Sequence, residues 1–194
     1  MTTPEAPVKT KRAAALPPEE RRSTIVAVTL PLLLEQGDRL TTRQIAEAAG
    51  IAEGTIFRVF ADKDEIIVAV LEAALDPAPL EAALQEIPHD LSFEAAVAAA
   101  IVILQQRVID VWRLMSSIGT RFHDRARRPL VDSHALVRLF AANADRITVE
   151  PLEAARLLRA LTLATTHPML AGEPRTPEEL VHLFLHGVAK ESSC

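Results

Sequence analysis

The chain holds 194 residues with 49% hydrophobic and 24% charged content and a net charge of −5. That length suits one or two compact units, and that apolar content excludes wholesale disorder. One cysteine, Cys194, excludes an internal disulfide framework and a thiolate metal cage. Ala and Leu fill 57 positions, against six Phe, one Trp and no Tyr. Both are strong helix formers while β-preferring aromatics are scarce, so the expected fold class is all-α with about nine helices. The longest apolar stretches, Ile25–Leu34 and Ala95–Leu104, are about half of the roughly 20 residues that a membrane span needs. Met1–Ala15 lacks an apolar signal core, so a cytoplasmic protein with no membrane partner is expected.

In chain order, residues 1–17 read as a flexible arm carrying Lys9, Lys11 and Arg12. Pro18-Glu19-Glu20 opens a helix, since proline suits the first position and carboxylates suit the positive end of the dipole. It runs to Gly37, with a kink expected at Pro31. Thr41-Thr42-Arg43-Gln44 has the spacing of a capping box and starts a short helix that Gly50 stops. Glu53–Phe60 then makes two turns. Asp62-Lys63-Asp64-Glu65 repeats the capping pattern and launches a helix through Leu75, broken by Pro77 and Pro79. Longer helical patterns follow at Leu80–Ile87, Ser92–Ile118, Leu130–Ile147, Pro151–Thr166 and Pro177–Lys190.

Leu40–Ile66 is the informative stretch: two short helices separated by Gly50-Ile51-Ala52 have the length and turn of a helix-turn-helix. Ile45, Ala46, Ala49, Ile51 and Ile56 supply the close packing, which leaves Glu53, Thr55, Arg58 and Val59 facing outward, where a DNA major groove could receive them. The charge is asymmetric in the same sense, +1 over residues 1–63 and −6 over residues 64–194. Two ordinary amphipathic helices would share much of this pattern.

This stretch resembles the DNA-binding half of the TetR family of bacterial regulators. The matching positions are the first helix ending at Gly37, Thr41, Ile45-Ala46, Ala49-Gly50-Ile51, Gly54-Thr55-Ile56-Phe57, Phe60, Lys63 and Ile66. The resemblance implies a homodimer that binds an inverted-repeat operator on double-stranded DNA, usually represses, and lets go when a small-molecule effector enters the C-terminal domain. It divides the chain into a DNA-binding domain at 18–66 and an effector-binding and dimerisation domain at 67–190. Carried over by position, Arg43 approaches base or phosphate, Thr55 and Lys63 hold phosphates, and Arg58 reads guanine through its two-pronged fork. Three positions depart from the family: Phe57 lacks the usual tyrosine hydroxyl, Val59 replaces a tyrosine or histidine, and Ala52 replaces the usual Ser/Thr cap.

The rest of the chain carries weaker patterns. Trp112, Met115, Phe122 and Phe140 are candidates for an effector pocket wall, with Arg121 or His123 as polar anchors, although plain core is the simpler fate of each apolar one. Arg121, Arg125, Arg127 and Arg128 form a basic connector that a carboxylate or phosphate could use. Leu157, Leu158, Leu161, Leu180, Leu183 and Leu185 offer apolar surface for a dimeric four-helix bundle. His182 and His186 have metal-compatible spacing, but Leu183 stands where the metalloprotease pattern needs Glu, so no metal and no cofactor is expected. No nucleophile or phosphate-loop motif occurs. A non-enzymatic regulator is the expectation, against an α-helical enzyme with an unrecognised site or a helical adaptor that binds protein.

Overall fold

The structure is a computed structural model that describes residues 17–122, 124 and 131–187. The arm with Lys9, Lys11 and Arg12, and His123, Arg125, Arg127 and Arg128, lie outside the described residues. All regular structure among the described residues is helical. The α-helices are α1 (Pro18–Gln36), α2 (Thr42–Ala49), α3 (Glu53–Ile56), α4 (Lys63–Leu75), α5 (Ala78–Gln85), α6 (Phe93–Ser117), α7 (His134–Ala141), α8 (Pro151–Thr166), α9 (Pro168–Ala171) and α10 (Pro177–His186). Single 3-10 turns lie at Gly37–Arg39, Thr120–Phe122 and Ala144–Arg146.

Local chemistry fixes most boundaries. Thr41 and Gln44 form the reciprocal capping box of α2, and Gly50 ends that helix with φ 65°. The Asp62 carboxylate accepts from the Glu65 amide at the start of α4, while the Glu65 carboxylate reaches past Asp62 to the Ala61 amide at 2.6 Å. Thr176 and Glu179 build a second reciprocal box before α10. Helix α1 continues through Pro31, where both Pro31 and Ala27 are exposed, so water can meet the carbonyl that proline leaves unbonded.

Three expected boundaries are corrected, and one helix is added. The helix expected over Glu53–Phe60 is regular only to Ile56 and continues as turn, because Ala52 gives no side-chain cap and Gly54 and Thr55 are poor helix formers. Of the pattern expected over Leu130–Ile147, the described residues from Val131 on are helical only at His134–Ala141 plus a 3-10 turn, since the Ser133 hydroxyl caps at the Leu136 amide. The last helix stops at His186, where Gly187 takes φ 71°, and its expected end at Lys190 lies outside the described residues. Helix α9, unexpected, starts at Pro168 directly after α8.

Two cores organise the packing. The first joins α1 to α4 through Ile25, Leu33, Ile45, Ile56, Phe60, Ile66, Ile67 and Val70. The second joins α5, α7, α8 and α10 through Leu84, Leu136, Phe140, Leu158 and Leu180. Helix α6 serves both. Its first half puts Val97, Ile101 and Leu104 into the second core, and its end puts Leu114, with Ile118 and Phe122 beyond, into the first. Length and composition alone would let α6 cross a membrane. Its burial in both cores gives the bland alternative, a core helix with Gln105, Gln106, Arg107 and Asp110 midway.

The end of α6 meets the 3-10 turn after α1 closely. A Cβ on Gly37, which has φ 59°, would sit 2.8 Å from the Ser117 carbonyl oxygen. The Gly119 amide donates to Asp38 Oδ1 at 3.3 Å, and Arg121 pairs with Asp64 at 2.9 Å.

Candidate nucleic-acid interface

Helices α2 and α3 pack on each other through Ile45 and Ile56, both fully buried, with the left-handed Gly50 turning the chain between them. The Ile51 amide bonds to the Ala46 carbonyl at 3.0 Å and fixes the tight connection. The Thr42 hydroxyl donates to Glu53 Oε1 at 2.5 Å, so the first residue of α2 is tied to the first residue of α3. Glu53 thus joins the two helices, in addition to favouring the positive end of α3.

The outward face carries the other candidates. Arg43 is exposed and pairs with Glu47 at 3.2 Å, one helical turn on, with both side chains well solvated. Such a pair contributes only about 0.3–0.5 kcal/mol, so Arg43 can leave it for a phosphate. Arg58 is exposed, and its guanidinium has no hydrogen-bond or ion-pair partner among the described residues. Phe57 beside it is 51% exposed, an unusual place for a large apolar ring. Val59 and Thr55 are half-buried at the edge of the motif. Gly54 is exposed, has no positive φ, and leaves open space where a Cβ would go. Neither backbone conformation nor internal packing demands glycine there.

Lys63 is more engaged than its sequence position suggested. Its Nζ donates to the carbonyls of Asp38 at 2.9 Å and Leu40 at 3.1 Å, which ties the start of α4 to the chain just before α2. An ammonium has three protons, so one is left for a phosphate. The cationic group of Arg22 lies 4.4 Å over the Phe60 ring and 3.6 Å from Glu65, which packs α1 against the loop before α4.

The effector candidates do not converge. Phe122 is buried in the first core and Met115 packs against that same core. Phe140 is buried in the second core, edge-on to Phe93 at 6.1 Å and beside Phe184 at 5.7 Å. Arg121 pairs with Asp64 and covers the Phe122 ring at 4.8 Å, so it bridges α4 to the end of α6. Trp112 is half-buried and meets the His167 ring edge-on at 4.6 Å. Of the leucines offered for association, Leu158 and Leu180 are buried in their own chain, and Leu161 and Leu185 pack against that core. Leu157 is exposed, and the sequence missed Met169 and Leu170 of α9, which are 76% and 67% exposed. His182 and His186 sit edge-on with ring centroids 5.0 Å apart. No group of three metal-ligating side chains occurs among the described residues.

Residues 25–70 match the family model for the bacterial regulatory proteins of the tetR family. The HTH-type transcriptional regulator HbdR of Aromatoleum sp. (strain CIB) is 39% identical over 74 residues, 38% of this chain and 30% of that protein. The chain therefore matches less than a third of that relative's length. In fold, it resembles a TetR-family transcriptional regulator of Mesorhizobium loti MAFF303099, with TM-score 0.61 and 15% identity over 88% of this chain and 98% of the other. It likewise resembles the TetR-like regulator LfrR of Mycobacterium smegmatis, solved with proflavine, with TM-score 0.53 and 18% identity over 89% and 99%. The capped α2, the glycine turn and the outward Arg58 thus lie within the stretch that matches the bacterial regulatory proteins of the tetR family.

Proposed function

We propose that the chain is a homodimeric, cytoplasmic transcriptional regulator that represses from an inverted-repeat operator and releases it on binding a small molecule. The observation that carries the reading is the α2–α3 motif with Arg58 exposed, unpaired by any described residue and four positions after a glycine that nothing internal requires. A guanidinium in that place can take the two acceptors of a guanine, while Arg43, Thr55 and the third proton of Lys63 take phosphates. Apolar Leu157, Met169 and Leu170 support a second copy as the partner along α8 and α9. The proflavine held by LfrR supports a small-molecule effector. No catalytic step is assigned.

Release would run through α4, which starts at the motif and whose first turn is held by Arg121 from beyond α6. A ligand weakens DNA binding only by preferring a position of that helix that misplaces α3 in the dimer. Selection of genomic DNA fragments on the purified protein tests the reading. Enriched fragments should share two half-sites with centres about one helical turn apart, roughly 34–36 Å. Enrichment without any shared repeat would refute sequence-specific regulation.

A further inference from the structure

Helix α8 holds two buried hydroxyls that have no hydrogen-bond partner among the described residues. Thr162 and Thr166 are each 1% exposed, and the Oγ1 of each lacks a hydrogen-bond partner. The helix offers an easy alternative that they do not use. Thr165, on the same helix, donates to the Leu161 carbonyl at 2.7 Å, and buried Thr29 donates to the Ile25 carbonyl at 2.6 Å. Buried polar atoms are almost always satisfied, so a pair left open one turn apart on one helix face calls for an absent partner.

The surroundings describe that partner. The next residue, His167, meets Trp112 of α6 edge-on, and α8 packs against α6, α9 and α10. The Gln105 amide donates to the Arg175 carbonyl at 2.8 Å and holds the segment before α10 against α6. No cation or carboxylate among the described residues lies within hydrogen-bond reach of either threonine oxygen. An ionised ligand would lose its hydration there without a counter-charge, whereas a neutral acceptor oxygen could receive both hydroxyl protons.

We infer that Thr162 and Thr166 form the polar wall of a site between α6 and α8 for an uncharged, mainly apolar small molecule bearing a carbonyl-type oxygen. The regulatory meaning of this site rests on the proposed function; its existence does not. Trp112 is the single tryptophan of the chain and stands beside the site, so its emission reports occupancy.

The test uses full-length protein, with cyclohexanone as the carbonyl probe, methylcyclohexane as its apolar counterpart and cyclohexanecarboxylate as the charged one. Thr162→Val with Thr166→Val keeps the shape and removes both hydroxyls. Cyclohexanone should shift Trp112 emission in the unaltered protein and bind about ten- to thirtyfold more weakly to the double variant. Methylcyclohexane should bind both alike, and the carboxylate neither. The paired Thr→Ser variant retains the hydroxyls and should keep the preference for the ketone. Equal cyclohexanone affinity with and without the hydroxyls, or no emission change at all, overturns the site. So does a lower melting temperature for the valine variant, which would mean that the hydroxyls serve a structural water. Ketone binding by a protein that selects no DNA would leave the site standing and sink the regulator instead.

Discussion

The two cores of this molecule treat their buried hydroxyls in opposite ways. Around the first, the polar groups face outward: Arg43 and Arg58 are exposed, and the one buried hydroxyl among its described polar residues, Thr29, satisfies itself within α1. Around the second, apolar side chains stand in solvent at Leu157, Met169 and Leu170, while Thr162 and Thr166 lie unsatisfied inside. A surface of the first kind suits a hydrated polyanion, which is met through charge and hydrogen bonds. A surface of the second kind suits association, and such an interior suits a guest. The same chain therefore carries two recognition problems, and α6 is the physical element common to both.

Breaking either core should show how far they depend on one another. Phe140→Ala should cost about 3–5 kcal/mol, since the ring is fully buried between Phe93 and Phe184. Because α6 threads both cores, urea unfolding followed by Trp112 emission and by helicity should lose stability in one shared transition. Two separated transitions, with the first core unaffected, would show that the cores are energetically independent.

Arg58→Ala acts on the outward chemistry alone. It should weaken operator binding by about 1–3 kcal/mol, relax preference at one base pair per half-site and leave the melting temperature unchanged. An equal loss on operator and random DNA would assign Arg58 to phosphate rather than base.

Gly54→Ala separates folding from recognition more finely. Open space and ordinary φ mean that alanine should stabilise α3 by about 0.5–1 kcal/mol. If the missing side chain serves close approach of DNA, operator affinity should fall as stability rises. A variant that gains both would show that glycine has no role at the interface.

The smallest effect concerns acid. Hydrogen bonds from Arg146 hold the Glu94 carboxyl below its usual pKa, and those from Arg156 do the same for Asp132. A lowered folded-state value contributes stability above the ordinary carboxylate range, lost as pH falls through the lowered values. Both groups are exposed, so the contribution is small. Melting curves of the unaltered protein and of Arg146→Gln with Arg156→Gln should converge once the pH has fallen below those lowered values. A constant gap at every pH would mean that these arginines act through packing.

Much of the N-terminal fold was legible because its punctuation is local. Thr41 with Gln44, Gly50, and Asp62 with Glu65 each set a helix end within four residues, and the family pattern runs through the same positions. The end of α3 was harder, since Gly54, Thr55 and Val59 weaken the helix gradually rather than stop it. Gly187 was a local stop in plain view, overridden by the apolar periodicity before it. The bonds of Arg121 to Asp64 and of Gly119 to Asp38 join residues 57 and 81 positions apart, a pairing that no local pattern encodes. Threonines at helical spacing cannot announce from sequence whether they will bond to their own backbone, so Thr162 and Thr166 emerged only from the fold.

The insertion of α6 into the first core also limits how this molecule can be rebuilt. Leu114, Ile118 and Phe122 complete the packing of α1 and α4, and Gly37 accepts the Ser117 carbonyl where any side chain would collide. A fragment cut after α4 would expose that seam, so the α1–α4 unit is not a detachable cassette. Grafting it onto a foreign sensor would require carrying its own closing turn of α6 along, or a host helix that ends in the same three apolar side chains.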